Sequence, residues 1–118
     1  MQKRGWKVLY MANGTRHSFR WPCGIYYPFG VWVTPRPNCG PLAVFATRED
    51  AQRFILDELD RDAVQFFEVV PCVWEPWNER LPRNDKGIPI AFWDGQGRQL
   101  INCLPRGTRL ASAVMCLE

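Results

Sequence analysis

The sequence predicts an α+β fold: a curved, mostly antiparallel β-sheet carrying one main α-helix at about residues 48–60. Three observations predict it. Short runs rich in Val, Ile, Trp, Tyr and Phe recur along the chain between turn residues, the pattern of strands. One segment alone repeats its apolar residues at helical spacing. Ten prolines and nine glycines in 118 residues exclude a coiled coil or helical bundle, because a proline inside a helix removes a hydrogen bond and clashes with the preceding turn.

Each element follows from its own residues. Gly5–Tyr10 reads as a first strand, with Trp6, Val8 and Tyr10 on one face. Asn13-Gly14 suits a tight hairpin turn, and Thr15–Trp21 pairs back as a second strand. Tyr26–Thr34 contains Val31-Trp32-Val33, and stops at the loop Pro35-Arg36-Pro37-Asn38-Cys39-Gly40-Pro41. Leu42–Ala46 is apolar without alternation, as in a strand buried on both faces. Thr47 with Asp50 forms a capping-box variant at the start of a helix Arg48–Leu59, whose Ala51, Phe54, Ile55 and Leu59 share a face. Val64–Trp74 returns to strand character, joined to Leu42–Ala46 by a parallel crossover or an antiparallel return. Pro71, Pro76 and Pro82 then break the chain. Ile90–Trp93 and Arg98–Asn102 flank a hairpin turn at Asp94–Gly97. Thr108–Leu117 is the last strand, with Leu110, Ser112, Val114 and Cys116 on one face. The length corresponds to one domain spanning residues 1–118.

Composition narrows the function. Sixteen aromatic residues exclude intrinsic disorder, and the absence of a run of about eighteen apolar residues excludes a spanning helix. The basic start of the chain lacks the apolar stretch of a secretory leader, so a cytoplasmic protein with reduced thiols is expected, in the host cell if the protein is viral. Net charge is only +3, which disfavours bulk nucleic-acid binding. The basic residues are twelve Arg and three Lys. Arginine presents a planar fork for phosphate or carboxylate and stacks on rings; coding bias is the alternative source of the excess. The five cysteines lack close Cys-x-x-Cys spacing and His17 is the single histidine, so neither a metal nor a cofactor is expected.

Four constellations are candidate ligand contacts. Arg36 is held between two prolines, which lowers the entropy lost when it binds an anion. Arg106, Thr108 and Arg109 surround Gly107, placing two guanidinium forks and a hydroxyl beside turn amides. Arg16 and Arg20 project from one face of the second strand, with Trp21 available to stack on a base. Trp77 and Phe92, with Trp74 and Trp93, lie at strand ends beside loops, where aromatic rings either fill the core or enclose a purine. Carboxylates show no glycosidase or metal pairing, and the two serines lack a nucleophile elbow. No catalytic residue is therefore assigned, which points to binding over catalysis.

The segments Tyr26-Tyr27-Pro28-Phe29-Gly30-Val31-Trp32-Val33, Cys39–Thr47 with Asp50-Ala51, and Leu104–Ala111 resemble a pattern in small phage-encoded and metagenomic proteins. The pattern covers about half of the chain. It is loosely similar to the Thoeris anti-defence sponge proteins of phages, which sequester cyclic ADP-ribose signals. That resemblance implies capture of a cyclic nucleotide or cyclic ADP-ribose immune signal, and it carries over Arg109 alone as a ligand contact. A homo-oligomer is expected separately, because a domain of 118 residues buries limited surface and pairing would cover exposed Trp. The expected partner is a small anionic nucleotide-type ligand, with no membrane. The alternatives are a small nucleotide- or ADP-ribose-processing enzyme using His17 or Glu68, and a structural homo-oligomeric module.

Overall fold

A computed structural model of the chain describes residues 1–12, 14–18, 24–58, 66–94 and 97–118. The strands are β1 (Lys3–Ala12), β2 (Thr15–Ser18), β3 (Trp32–Val33), β4 (Leu42–Phe45), β5 (Phe67–Pro76), β6 (Ile90–Asp94), β7 (Gly97–Leu100) and β8 (Thr108–Cys116). Helix α1 spans Arg48–Glu58. The expected α+β fold with one main helix is the fold observed.

Antiparallel pairing runs β1–β4, β4–β8, β8–β5 and β5–β1, which closes four strands into a small barrel. The β1–β4 seam is narrow, with Trp6 and Phe45 as register partners. Gly5 makes this approach possible: a Cβ there would lie 2.8 Å from Trp74 Nε1 and 2.9 Å from the Phe45 carbonyl oxygen. At one end the barrel opens. There β2 pairs with the last part of β1 and β3 with the last part of β8. Strands β4 and β5 run parallel but lie on opposite edges of β1, so α1 crosses over a strand rather than joining neighbours.

Alternation along closed strands gives two apolar layers. Leu9, Leu42, Val44, Val70, Cys72, Trp74, Ala111, Val114 and Cys116 fill the barrel. Val8 and Phe45, on the outer face, pack under Ala51, Phe54 and Ile55 of α1. Each buried Val, Leu, Ile or Phe side chain among these contributes about 1.5–3 kcal/mol relative to exposure. The helix starts where Thr47 predicts, since its Oγ1 accepts a hydrogen bond from the Asp50 amide at 3.1 Å.

Three expectations are corrected. Pro71 does not break the chain but lies within β5, opposite Trp6. Its carbonyl accepts from the Leu117 amide at 2.8 Å, so the missing N–H would face only the end of the β8 ladder. The last strand changes face midway. Glu75 opposes Ala113 and Pro76 opposes Ala111, leaving Ser112 as an extra residue whose hydroxyl donates to the Glu75 and Pro76 carbonyls. Ala111, rather than Leu110, therefore continues the inward row of Cys116 and Val114. Finally, Arg98–Asn102 is strand only to Leu100, after which Ile101–Cys103 forms a 3₁₀ turn. Asn13, Leu59, Val64, Gly95 and Gln96, named in the sequence reading, lie outside the described residues.

Candidate functional site

The open end of the barrel is capped by residues 24–30. The Tyr27 amide donates to the Arg16 carbonyl at 3.0 Å, the Gly24 amide to the Ser18 carbonyl at 3.1 Å, and the Gly30 amide to the Cys116 carbonyl at 2.9 Å. Ile25 and Tyr27 turn inward and are buried, whereas Tyr26 between them is half exposed. His17 and Tyr26 form an antiparallel bridge and their rings lie 5.7 Å apart.

Two of the predicted arginines contact this cap, Arg36 at Gly24 and Arg16 at Phe29. Arg36, Pro37, Asn38 and Cys39 form a turn closed by the Cys39 amide on the Arg36 carbonyl at 3.0 Å. Proline second and a residue of positive φ third (Asn38, φ 62°) is the type II pattern. The turn brings Arg36 Nη2 to the Gly24 carbonyl at 3.1 Å, an exposed contact two residues before Tyr26 in the chain. Arg16 stacks its guanidinium 4.5 Å from the Phe29 ring centroid, and its Nε donates to Glu68 Oε1. Both partners of that ion pair stay about one-third exposed, which keeps its strength in the modest range of solvated pairs. Arg16 pairs with the inward Tyr27 whereas Tyr26 bridges His17, so the Arg16 guanidinium and the half-exposed Tyr26 phenol leave opposite faces of the pairing. Arg20 and Trp21 lie outside the described residues.

The other predicted residues lie elsewhere. Arg106, Thr108 and Arg109 are at the opposite end of the barrel, where β8 begins. Thr108 Oγ1 donates to the Pro105 carbonyl at 2.7 Å, so the hydroxyl already closes its own turn. Arg106 lines a shallow cleft with Arg53, Asp50, Phe54 and Asp57, whose two carboxylates oppose an anionic ligand. Arg109 opposes Val44 in register but is exposed, and its Nη1 donates to the Thr108 carbonyl at 3.1 Å.

Trp77 and Phe92 occupy a third place on the flank of the barrel. Trp77 meets Trp93 edge to face, with centroids 5.7 Å apart. Both rings rest on Gly40, where a Cβ would come within 3.0 Å of Trp77. The Gly40 and Trp93 backbones exchange hydrogen bonds of 3.0 and 2.8 Å, tying the Pro-rich loop to β6. Phe92 is buried and packs as core. This aromatic group therefore anchors a loop; the exposed rings among the described residues are Tyr26 of the cap, Trp32 and Phe66.

Sequence reasoning missed Lys7. It lies on the inward face of β1 and is buried in the barrel. Its Nζ donates to the Ala43 carbonyl at 2.6 Å and sits over the Tyr27 ring. Burial lowers its amine from the usual 10.5 to about 8. The same burial pushes the Cys72 thiol up to about 12 and the Cys116 thiol up to about 11. The available signal was Lys7 alternating with Gly5 and Leu9, on a strand apolar on both faces.

No group of three or more His, Cys, Asp or Glu positioned to hold a metal occurs among the described residues. Among them, too, no helix is long and apolar enough to cross a membrane. No family model, curated protein or solved structure matches this chain.

Proposed function

We propose that the chain is a non-catalytic binding protein that captures a small anionic nucleotide-type ligand at the capped end of its barrel. The observation that carries this reading is the Arg36–Gly24 contact. It holds a proline-framed guanidinium on the backbone two residues before the half-exposed Tyr26. In this reading Arg36 holds phosphate through its fork and Tyr26 stacks on the base. Capture without turnover is the behaviour of a sponge, so the reading extends to a cyclic nucleotide or cyclic ADP-ribose signal.

Titration calorimetry against nucleoside phosphates, cyclic dinucleotides and cyclic ADP-ribose isomers tests it. At least one ligand binds saturably, and Arg36→Ala weakens it about tenfold or more, the loss expected for a charge-assisted contact. Arg109→Ala, at the other end, leaves affinity unchanged. The reverse pattern would move the site to the position implied by the sponge resemblance. Silence across the panel would remove the reading altogether.

A second reading, self-association, is favoured by one observation. Val31 and Trp32 are exposed at β3, and Trp32 continues an outer row across Met115 and Val73. Light scattering that reports a dimer broken by Trp32→Ser would support it; a wild-type monomer at high concentration would exclude it.

A further inference from the structure

Cys72 on β5 and Cys116 on β8 are register partners across the barrel wall, both free thiols and both buried. The hydrogen bond from the Leu117 amide to the Pro71 carbonyl defines their geometry. It joins the residues just outside the pair, so Cys72 and Cys116 occupy a non-hydrogen-bonded site of the antiparallel ladder. Such sites are the closer kind, with Cα atoms about 4.5 Å apart. A disulfide spans Cα separations of about 4.4–6.8 Å. Both side chains point into the barrel, between Val70 and Trp74 on one strand and beside Val114 on the other. Cβ vectors that converge on one side of the sheet at this spacing need little backbone movement to be bridged.

The neighbouring ladder supplies the opening that a buried pair needs in order to react. Pro71 has no N–H to return to Leu117, so the β5–β8 ladder beside the cysteines has one hydrogen bond where two would normally form. Local separation of the two strands therefore starts next to the pair.

We propose that Cys72 and Cys116 are a redox pair that oxidises to a disulfide stapling β5 to β8. The oxidant is a low-molecular-weight disulfide such as oxidised glutathione. One cysteine, as thiolate, attacks a sulfur of that disulfide; the first S–S bond breaks and one glutathione thiolate leaves. The second cysteine loses its proton and attacks the cysteine sulfur of the mixed disulfide, forming the Cys72–Cys116 bond and expelling the second glutathione thiolate. The two cysteines give up two electrons, the oxidant becomes two thiols, and the protons released by the cysteines match those taken up. With the strands closed, burial keeps both thiols protonated and exchange slow.

The test uses the full chain with Cys23, Cys39 and Cys103 changed to Ser, equilibrated in a buffer of oxidised and reduced glutathione. The expected result is loss of two hydrogens in the intact mass and no titratable thiol after denaturation. Tm rises on the order of 10 °C, because the bridge closes a long loop, and reductant reverses the rise. Cys116→Ser in the same background shows neither change. Should the triple variant fail to fold, proteolytic mapping of the oxidised wild-type chain gives the same answer through a peptide linking Cys72 to Cys116. Two thiols still titratable after oxidation, glutathione adducts alone, or a link from either residue to a different cysteine would overturn the proposal.

Discussion

The Lys7 ammonium lies 4.7 Å from the ring centroid of Tyr27 inside the barrel, so a charged amine is held against an aromatic face in the apolar core. The ring quadrupole and the Ala43 carbonyl offset part of the cost of removing the charge from water. The lowered amine pKa measures what is left uncompensated.

That imbalance gives stability a pH dependence of defined sign. The folded state releases the Lys7 proton near pH 8 and the unfolded state near 10.5. Between these values the unfolded chain binds more protons, so this contribution to stability rises with pH, by about 3 kcal/mol in all. Below pH 8 both states are protonated and the contribution is constant. Cys72, Cys116 and Tyr27 act oppositely, because burial raises their pKa and the unfolded chain loses those protons first. Urea denaturation of wild type and Lys7→Met, compared at each pH, separates the two effects. Wild type gains on the variant from pH 8 towards 10; a flat difference would mean that the amine is solvated.

The Tyr27 hydroxyl is buried without a hydrogen-bond partner among the described residues. An unsatisfied buried hydroxyl costs about 1–3 kcal/mol. Tyr27→Phe keeps the ring under Lys7 and removes that cost, so its unfolding free energy equals or exceeds that of wild type. A loss of more than about 1 kcal/mol in chemical denaturation would reveal a partner for the hydroxyl.

Gly107 has a φ of 82°, and a Cβ there would overlap the Asp50 carboxylate in the first turn of α1. The Gly107 carbonyl also accepts from the Ala46 amide at 3.0 Å, fixing the turn against the segment leading into the helix. Gly107→Ala is therefore expected to destabilise by about 1–3 kcal/mol. Shortening Asp50 removes the overlap but not the backbone strain. In a double-mutant cycle with Asp50→Ala, the second substitution recovers part of the loss; strict additivity would show that the two residues do not meet.

Local signals in the sequence were sufficient for the helix and for most strands. Thr47, Asp50 and the Ala51–Phe54–Ile55 spacing specify α1 from within a few residues, so its start agreed with expectation. Readings that assumed a one-sided sheet did not hold. Trp6 and Val8 do share a face, but closure of the barrel buries the Lys7 and Leu9 face as well. The Ser112 bulge exchanges the faces of β8 by inserting one residue, and no period-two pattern carries that information. The candidate site was legible only as ingredients. Arg16 meets Glu68 across 52 positions, whereas Arg36 reaches Gly24 across 12. Arg106 and Arg109 resemble the cap arginines in sequence but fall at the other end, because β8 runs antiparallel to β4 and β5.

Native mass spectrometry with the nucleotide panel tests the central claim most directly. Capture at the Arg36 cap predicts a folded chain carrying one panel member, a complex lost in Arg36→Ala, and a ligand recovered at unchanged mass after denaturation. A wild-type chain that stays bare at saturating ligand, or a ligand that returns cleaved, would contradict it.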